Sequence, residues 1–425
     1  MQADMYRPRL MQENFKTISE IMKIVLICGP RQCGKTTMMK HMLGNKGAFV
    51  SFDYPEVAQY AADSPRSFLN RYLSGGEQLA IDEFQKVPII LGALKAYVDQ
   101  HEQMGQILLS GSSNFRTSPS VNESMAGRLG EVRLRTFTEA EKVGFSNSLL
   151  ERLVNRQFGD NLPFAIANKE EILRRALLGG YPVLEGKSSK LRREWFKNYL
   201  KAIVEKDLSD LGAFRKKDAI STLLHSLSAF SSRLVNFSEV AQATDLDQRT
   251  VKNYVQALQT MYLIDEIPAW KRRPGVKFSS QSKWFVTDTG LMRFLQGHND
   301  YESFSSWVLM AGNAGSDFVG NLVETFVYTQ LAPCVELSGE WKIFHLRAAQ
   351  KYEIDFLLEH ESGKKIAIEV KSSDRVSKSD FNNIEWFKEV CQDQKIQGVL
   401  LYAGNEVMEY DNGDVALPIA KFWMP

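Results

Sequence analysis

An α/β fold in three segments is predicted by three stretches of this 425-residue sequence. In the first, the apolar run Ile24, Val25, Leu26, Ile27 and Cys28 enters Gly29, Pro30, Arg31, Gln32, Cys33, Gly34, Lys35, Thr36 and Thr37, after which a helical pattern begins. The second is a buried-strand run, Leu79, Ala80 and Ile81, that ends in Asp82 and Glu83. The third is a pair of strand patterns near the C-terminus, one carrying Asp355 and the next Glu369 and Lys371.

The first stretch fits G-x-x-x-x-G-K-[ST] between a strand and a helix, the arrangement of a phosphate-binding P-loop. Gly29 and Gly34 tolerate backbone angles that strain other residues, so the loop's N–H groups can face a phosphate chain. The following helix points its positive end at the same place. Lys35 is then expected to reach the β- and γ-phosphates of ATP, and the Thr36 hydroxyl to ligate Mg²⁺. Cys33 reads either as an oxidation-sensitive thiol in an electropositive loop or as a filler.

Composition sets the bounds. At 44% hydrophobic and 24% charged residues, the chain reads as globular with room for two to four domains. No run approaches the ~18 uninterrupted apolar residues of a membrane span, and residues 1–20 lack the pattern of a secretory signal. A cytoplasmic protein with no membrane partner is expected. The four cysteines and six histidines offer no zinc-site spacing and no disulfide framework. Net charge is only +1, yet residues 190–283 hold 17 Lys and Arg against 10 Asp and Glu, a basic middle between mildly acidic ends.

The N-terminal segment, residues 1–145, is read as the ATPase domain. A lead-in helix with Phe15, Ile18, Ile21 and Met22 on one face is expected to cover the sheet. A short strand follows over 48–53, and Ser64 and Pro65 start a helix carrying Phe68, Leu69, Tyr72 and Leu73. Asp82 fits the acid that holds the Mg²⁺ shell, and Glu83 the base that polarises the attacking water. The 48–53 strand is placed between the P-loop strand and the acidic strand. The next strand, 107–110, runs into Ser110, Ser112, Ser113 and Asn114, any of which can sense the γ-phosphate or belong to a plain polar turn. Arg128 reads either as the arginine that stabilises transition-state charge, in cis or from a neighbouring subunit, or as a surface ion-pairing arginine; Arg31 is a weaker candidate.

Taken together, GPRQCGKTT, IDEFQKVP, LLSGSSN and MAGRLGE resemble a large prokaryotic family of AAA-type ATPases, and the later FVTDTGL and IEVKSS extend the likeness over most of the chain. The resemblance implies a P-loop NTPase with a parallel sheet, a winged-helix middle and a nuclease-like C-terminal domain.

The middle segment, residues 146–300, opens with helical patterns and a sharp break at Gly179 and Gly180. One long helix is predicted over 190–211 with Trp195, Tyr199, Ala202 and Ile203 on a stripe. Helices over 237–243 and 248–259, joined by a turn and with Asp247 as N-cap, predict a helix-turn-helix, the second helix carrying Val251, Tyr254, Val255 and Leu258 inward. Strands over 263–267 and 283–287 flank a basic turn and complete a wing. For DNA, the exposed face offers Gln248, Arg249, Lys252, Asn253 and Gln256 to the groove, and Lys271, Arg272 and Arg273 to phosphates. The same module can instead contact protein, either another copy or a partner.

In the C-terminal segment, residues 301–425, Glu324 lies on a helix and Asp355 on a strand beside Glu353. A turn at Ser362 and Gly363 leads to the strand with Glu369 and Lys371 on one face. Two carboxylates and a lysine on adjacent strands can hold Mg²⁺ and activate water against a phosphodiester. Glu324, Asp355 and Glu369-x-Lys371, followed by a helix and a strand, resemble the restriction-endonuclease-like fold, with Glu324, Asp355 and Glu369 as metal ligands and Asp355, Glu369 and Lys371 as catalytic residues. Two function classes follow: an ATP-dependent DNA-associated enzyme, or an ATP-operated switch or scaffold whose C-terminal domain binds a partner without cleaving.

Overall fold

The computed structural model describes residues 6–111, 125–145, 148–207, 217–234, 236–271, 279–298, 300–348 and 351–425. They form two compact units, Met1–Thr136 with Thr260–Tyr262, and Phe137–Gln259 with Leu263–Pro425.

The first unit is built on five parallel strands, β1 (Ile24–Cys28), β2 (Gly47–Ser51), β3 (Gln78–Asp82), β4 (Ile107–Gly111) and β5 (Leu129–Arg133), in the order β2-β3-β4-β1-β5. All five residues of β1 and of β4 are buried, as the apolar runs Ile24–Cys28 and 107–109 require of strands covered on both faces. That burial corrects one expectation. The strand between β1 and the acidic strand β3 is β4, not the strand predicted over 48–53, which is β2 at the sheet edge. The wholly buried β4 needs a neighbour on each side, whereas Gly47, Ala48 and Phe49 of β2 are only half-buried and suit an edge. The lead-in helix is Gln12–Ile21. Phe15 is buried and Ile18 lies over Gly130, where an added Cβ would sit 2.3 Å from the Ile18 Cγ2, but Ile21 is 62% exposed and off the expected stripe.

The second unit holds two sheets. A small antiparallel one has the order β6 (Arg233–Leu234), β8 (Lys283–Val286), β7 (Ile264–Ile267). Between β6 and β7 come the helices Phe237–Thr244 and Gln248–Thr260, separated by a short turn. Asp247 caps the second helix as expected, accepting the Thr250 N–H at 2.9 Å, and Val251, Tyr254, Val255 and Leu258 are buried. The predicted 190–211 helix is Ser189–Ala202 followed by a wider turn, Ile203–Asp207. Its core face is Arg192, Phe196, Tyr199 and Ile203, while Ala202 is exposed. Arg192 replaces an apolar residue there because its guanidinium donates to the carbonyls of Leu178 at 2.8 Å and Lys187 at 3.0 Å.

The larger sheet is mixed, in the order β13 (Met408–Glu409), β14 (Val415–Pro418), β12 (Gln397–Tyr402), β11 (Lys365–Lys371), β10 (Tyr352–His360), β9 (Trp341–Ala348). The helix Asn313–Ser338 packs an almost wholly buried face against it, and the helix Asn382–Cys391 supplies Ile384 and Phe387 to a core with Leu400 and Ala416. No unit boundary falls at residue 300, because the chain after β7 is hydrogen-bonded onto β9. His345 N–H donates to Pro268 O at 3.2 Å, Trp270 N–H to His345 O at 2.9 Å, and Ser279 N–H to Arg347 O at 2.8 Å.

Candidate functional sites

The phosphate loop leaves the C-terminal end of β1 with Gly29 at φ 145° and Gly34 at φ 104°. Space as well as backbone angle demands glycine at 29, since a Cβ there would lie 2.0 Å from Leu134 O. Lys35 is buried on the first turn of the helix Lys35–Leu43, and its ammonium donates to the carbonyls of Gly29 at 2.9 Å and Pro30 at 2.8 Å. Both hydrogen-bond acceptors are neutral, so the charge, which also acts on nearby Glu83, can be turned to an anion at the loop. Thr36 Oγ1 donates to Asp82 Oδ2 at 2.8 Å, and Ser110 Oγ bonds the other Asp82 oxygen. β3 and β4 therefore deliver Asp82 and Ser110 to the same end of the sheet as the loop. A hydroxyl and a carboxylate fit Mg²⁺, which takes hard oxygen ligands and keeps several of its waters. Pro30, Arg31, Gln32, Cys33 and Thr37 complete the loop, Gln32 at φ 60° and Cys33 fully buried with its thiol toward Leu134 O at 3.3 Å.

Glu83 follows Asp82 in a left-handed conformation, φ 53° and ψ 40°, which turns the chain abruptly off β3. Its carboxylate accepts a bond from the Gln85 side-chain amide. Burial holds the Glu83 carboxyl above its ordinary range; Lys35 and Arg31 pull the other way, while Asp82 and Asp53 add to the rise.

Arg128 lies elsewhere. Its carbonyl accepts the N–H of Ile24 at 3.0 Å, so it sits where β1 begins, at the opposite end of the sheet from the loop. The five residues of β1 separate the two by about 16 Å at roughly 3.3 Å per residue. Its guanidinium pairs with Asp99, one contact being 3.1 Å to Oδ2, and donates to Ala126 O at 3.1 Å. The in-cis role is thus corrected to the surface ion pair. Ser112, Ser113 and Asn114 lie outside the described residues.

One contributor to the loop went unseen in the sequence. The buried Arg9 donates to Cys33 O at 2.9 Å and to Arg135 O at 2.7 Å, fixing the loop's back to the chain after β5. Its partners are backbone carbonyls, which leave no trace in residue type.

In the second unit, Arg249, Lys252, Asn253 and Gln256 lie on the exposed face of the helix Gln248–Thr260, with the Lys252 ammonium 5.3 Å from the Phe237 ring centre. Gln248 is also exposed but donates to Ser238 Oγ at 2.7 Å. Lys271 is exposed; Arg272 and Arg273 lie outside the described residues.

The four C-terminal residues fall into two groups. Glu369 and Lys371 project together from β11, 3.5 Å apart, with Asn383 3.4 Å from Glu369. Burial, then the Asp355 charge, lifts the Glu369 carboxyl well above its ordinary range. Burial alone would lower Lys371, but Glu369 and Asp355 hold it high. Glu324 and Asp355 instead face an unforeseen cation. Lys283, the first residue of β8 and 1% exposed, places its ammonium 2.5 Å from Glu324 Oε1, 3.1 Å from Glu353 Oε1 and 3.4 Å from Asp355 Oδ1. Asp355 Oδ2 is occupied by the Val370 N–H at 2.9 Å. Burial would lower the lysine, yet the three carboxylates carry it above its ordinary range, so it stays charged. Among the described residues no three His, Cys, Asp or Glu side chains are grouped to hold a metal ion, and the expected set of Glu324, Asp355 and Glu369 is not gathered on one point. The physical reason is the lysine, which holds two of them. A buried charged residue opening an apolar strand, Lys-Trp-Phe-Val, was the available signal.

Comparison with known proteins agrees with the first unit. Residues 22–143 match the AAA domain family, in keeping with the phosphate-loop geometry of that unit. Residues 169–302 and 319–422 match two domains of unknown function, DUF8612 and DUF4143. Uncharacterized proteins of Mycobacterium bovis and Mycobacterium tuberculosis are each 27% identical over 360 residues, 84% of this chain and 72% of theirs. Among solved structures, a signal transduction ATPase with numerous domains from Pyrococcus horikoshii aligns at 14% identity over 79% of this chain, with a TM-score of 0.29; the chain spans about half of it, 53%. AMPPCP-bound DnaA from Aquifex aeolicus aligns at 16% identity over 59% of this chain and 86% of its own, with a TM-score of 0.26. Scores this low carry no argument about fold. No helix among the described residues is long and apolar enough to cross a membrane.

Proposed function

We propose that this chain is a Mg²⁺-dependent ATPase whose turnover is coupled to engagement of DNA. The observation that carries the reading is the cluster at one end of the first sheet: a lysine ammonium held only by carbonyls, beside Thr36, Asp82 and Ser110. Thr36 and Asp82 would hold Mg²⁺, which when bound would supply charge neutralisation for the phosphates. Lys35 exchanges its carbonyl partners for the β- and γ-phosphates, Ser110 keeps Asp82 oriented, and Glu83 accepts the proton of the attacking water. A raised carboxyl suits that task, since a base works best with its pKa nearer the working pH. The helix pair and small sheet of the second unit act as a winged helix, with Arg249 and Lys252 toward the duplex and Lys271, Arg272 and Arg273 toward phosphates.

The C-terminal sheet is the restriction-endonuclease-like part of this proposal. Lys283 among its carboxylates favours the second reading of it, a partner-binding domain that does not cleave while the lysine is in place. Another copy of the chain or a protein partner then takes up the ATP-driven change.

The test is ATP turnover with and without duplex DNA across a salt series. Stimulation that fades with rising salt is expected for the wild type, because phosphate contacts release counterions. Arg249→Ala with Lys252→Ala should lose the stimulation and keep the basal rate, and Glu83→Gln should bind ATP but turn over about 10²–10⁴-fold more slowly. Turnover indifferent to DNA at every salt concentration would remove the DNA part; a normal rate in Glu83→Gln would remove Glu83 as base.

A further inference from the structure

A cavity of about 360 Å³ in the second unit is lined by Glu324, Glu353 and Asp355 together with Arg233 and Arg347. The carboxylates come from three places in the chain, the helix Asn313–Ser338 and two positions on β10, so their convergence is a property of the fold and not of a local acidic run. What they converge on is Lys283. We infer that the Lys283 ammonium is a built-in counter-cation that closes this carboxylate site to divalent metal.

Three features support this. The ammonium is within 3.4 Å of all three carboxylates, so a second cation at their centre would meet a charge of its own sign. Hard divalent ions need several oxygens from one small space, and Asp355 has one oxygen on the lysine and the other on the Val370 N–H. Finally, the lysine is fixed where it stands, since β8 is the central strand of the small sheet, paired with both β6 and β7, and its Phe285 ring stacks on Tyr328 with ring centres 4.4 Å apart. Glu369 and Lys371, next to the group, pair with each other at 3.5 Å. Nothing here depends on ATP turnover, which resides in the other unit.

The inference is tested by Mn²⁺ titration of the full chain without nucleotide, with free Mn²⁺ followed by electron paramagnetic resonance. Signal lost on Asp355→Asn isolates this site from the phosphate loop. The wild type should show almost no Asp355-dependent Mn²⁺ uptake, whereas Lys283→Met, similar in length but uncharged, should bind at least about tenfold more tightly, as a released charge repulsion predicts, and should gain thermal stability from Mn²⁺ where the wild type does not. If Lys283→Met alone fails to fold because three carboxylates are left without a counter-charge, Lys283→Met with Glu353→Gln carries the same measurement with one charge fewer. Wild-type uptake as tight as in these variants, or a gain that survives Asp355→Asn, would overturn the inference.

Discussion

Two buried lysines show how one residue type serves opposite purposes in the two units. Lys35 and Lys283 are both 6% exposed or less. The first is held by two backbone carbonyls, the second by three carboxylates. A carbonyl contact yields about 0.5–1.5 kcal/mol net and is readily exchanged for a charged phosphate oxygen. Around Lys283 the charge is already neutralised at close range, and removing one partner of such a buried set typically costs about 3–5 kcal/mol. Availability thus depends on the acceptor: a cation among neutral dipoles waits for a ligand, and a cation among anions has become part of the structure.

The strongest way to break this comparison is to truncate both. Lys283→Ala is expected to destabilise the second unit by about 3–5 kcal/mol in urea unfolding, because three carboxylates lose their cation. Lys35→Ala should destabilise less, by about 1–3 kcal/mol, the cost of leaving the buried carbonyls of Gly29 and Pro30 without a donor. Its loss should appear in ATP binding, weakened beyond detection in a fluorescent-nucleotide titration. Equal stability effects would show that the two lysines are not of different kind.

Glu83 sharpens the comparison from the acidic side, with a smaller effect. Its carboxyl is raised by burial and is only partly offset by Lys35. A base must be deprotonated to act, so turnover should be full at high pH and fall as pH drops through the raised pKa, above the range of an ordinary glutamate. For folding the sign is reversed: a group that binds its proton more tightly when folded contributes stability that fades as pH rises through that value. A pH–rate profile of kcat whose acidic limb lies at the pKa of a free glutamate would show that burial does not act on Glu83 in the working enzyme.

The same contrast explains what could be read from the sequence. The loop Gly29–Thr36 and the pair Asp82 and Glu83 were legible because a phosphate site needs fixed residue types at fixed spacing, next to strands whose burial makes them unbroken apolar runs. The helix pair was legible from Val251, Tyr254, Val255 and Leu258, whose spacing is set by the helix itself. Strand order was not: β4 between β1 and β3 depends on which strand most needs two neighbours, a relation among distant segments. Arg9 was hidden because its partners, the carbonyls of Cys33 and Arg135, are 24 and 126 positions away and have no side-chain signature. Lys283 stood in plain view, but its partners at 324, 353 and 355 belong to a segment read as a separate domain. The carboxylates were recognised as a group and their cation was missed, which turned a closed set into an apparent metal site.

Arg128 supplies the smallest and most discriminating prediction, because it is a third kind of cation. It pairs with one carboxylate, Asp99, at the surface, and sits at the end of the sheet remote from the loop. A surface pair gains little over the solvated ions, so Arg128→Ala should leave both stability and the ATP turnover of a dilute, monomeric sample within about twofold of the wild type, as for other exposed positions. The informative arm is concentration. If turnover per chain rises with protein concentration in the wild type and stays flat in Arg128→Ala, the guanidinium leaves Asp99 to act on the nucleotide of a second copy, and it would join Lys35 as a cation kept available. If the two proteins behave alike at every concentration, the Asp99 pair is the whole of its role.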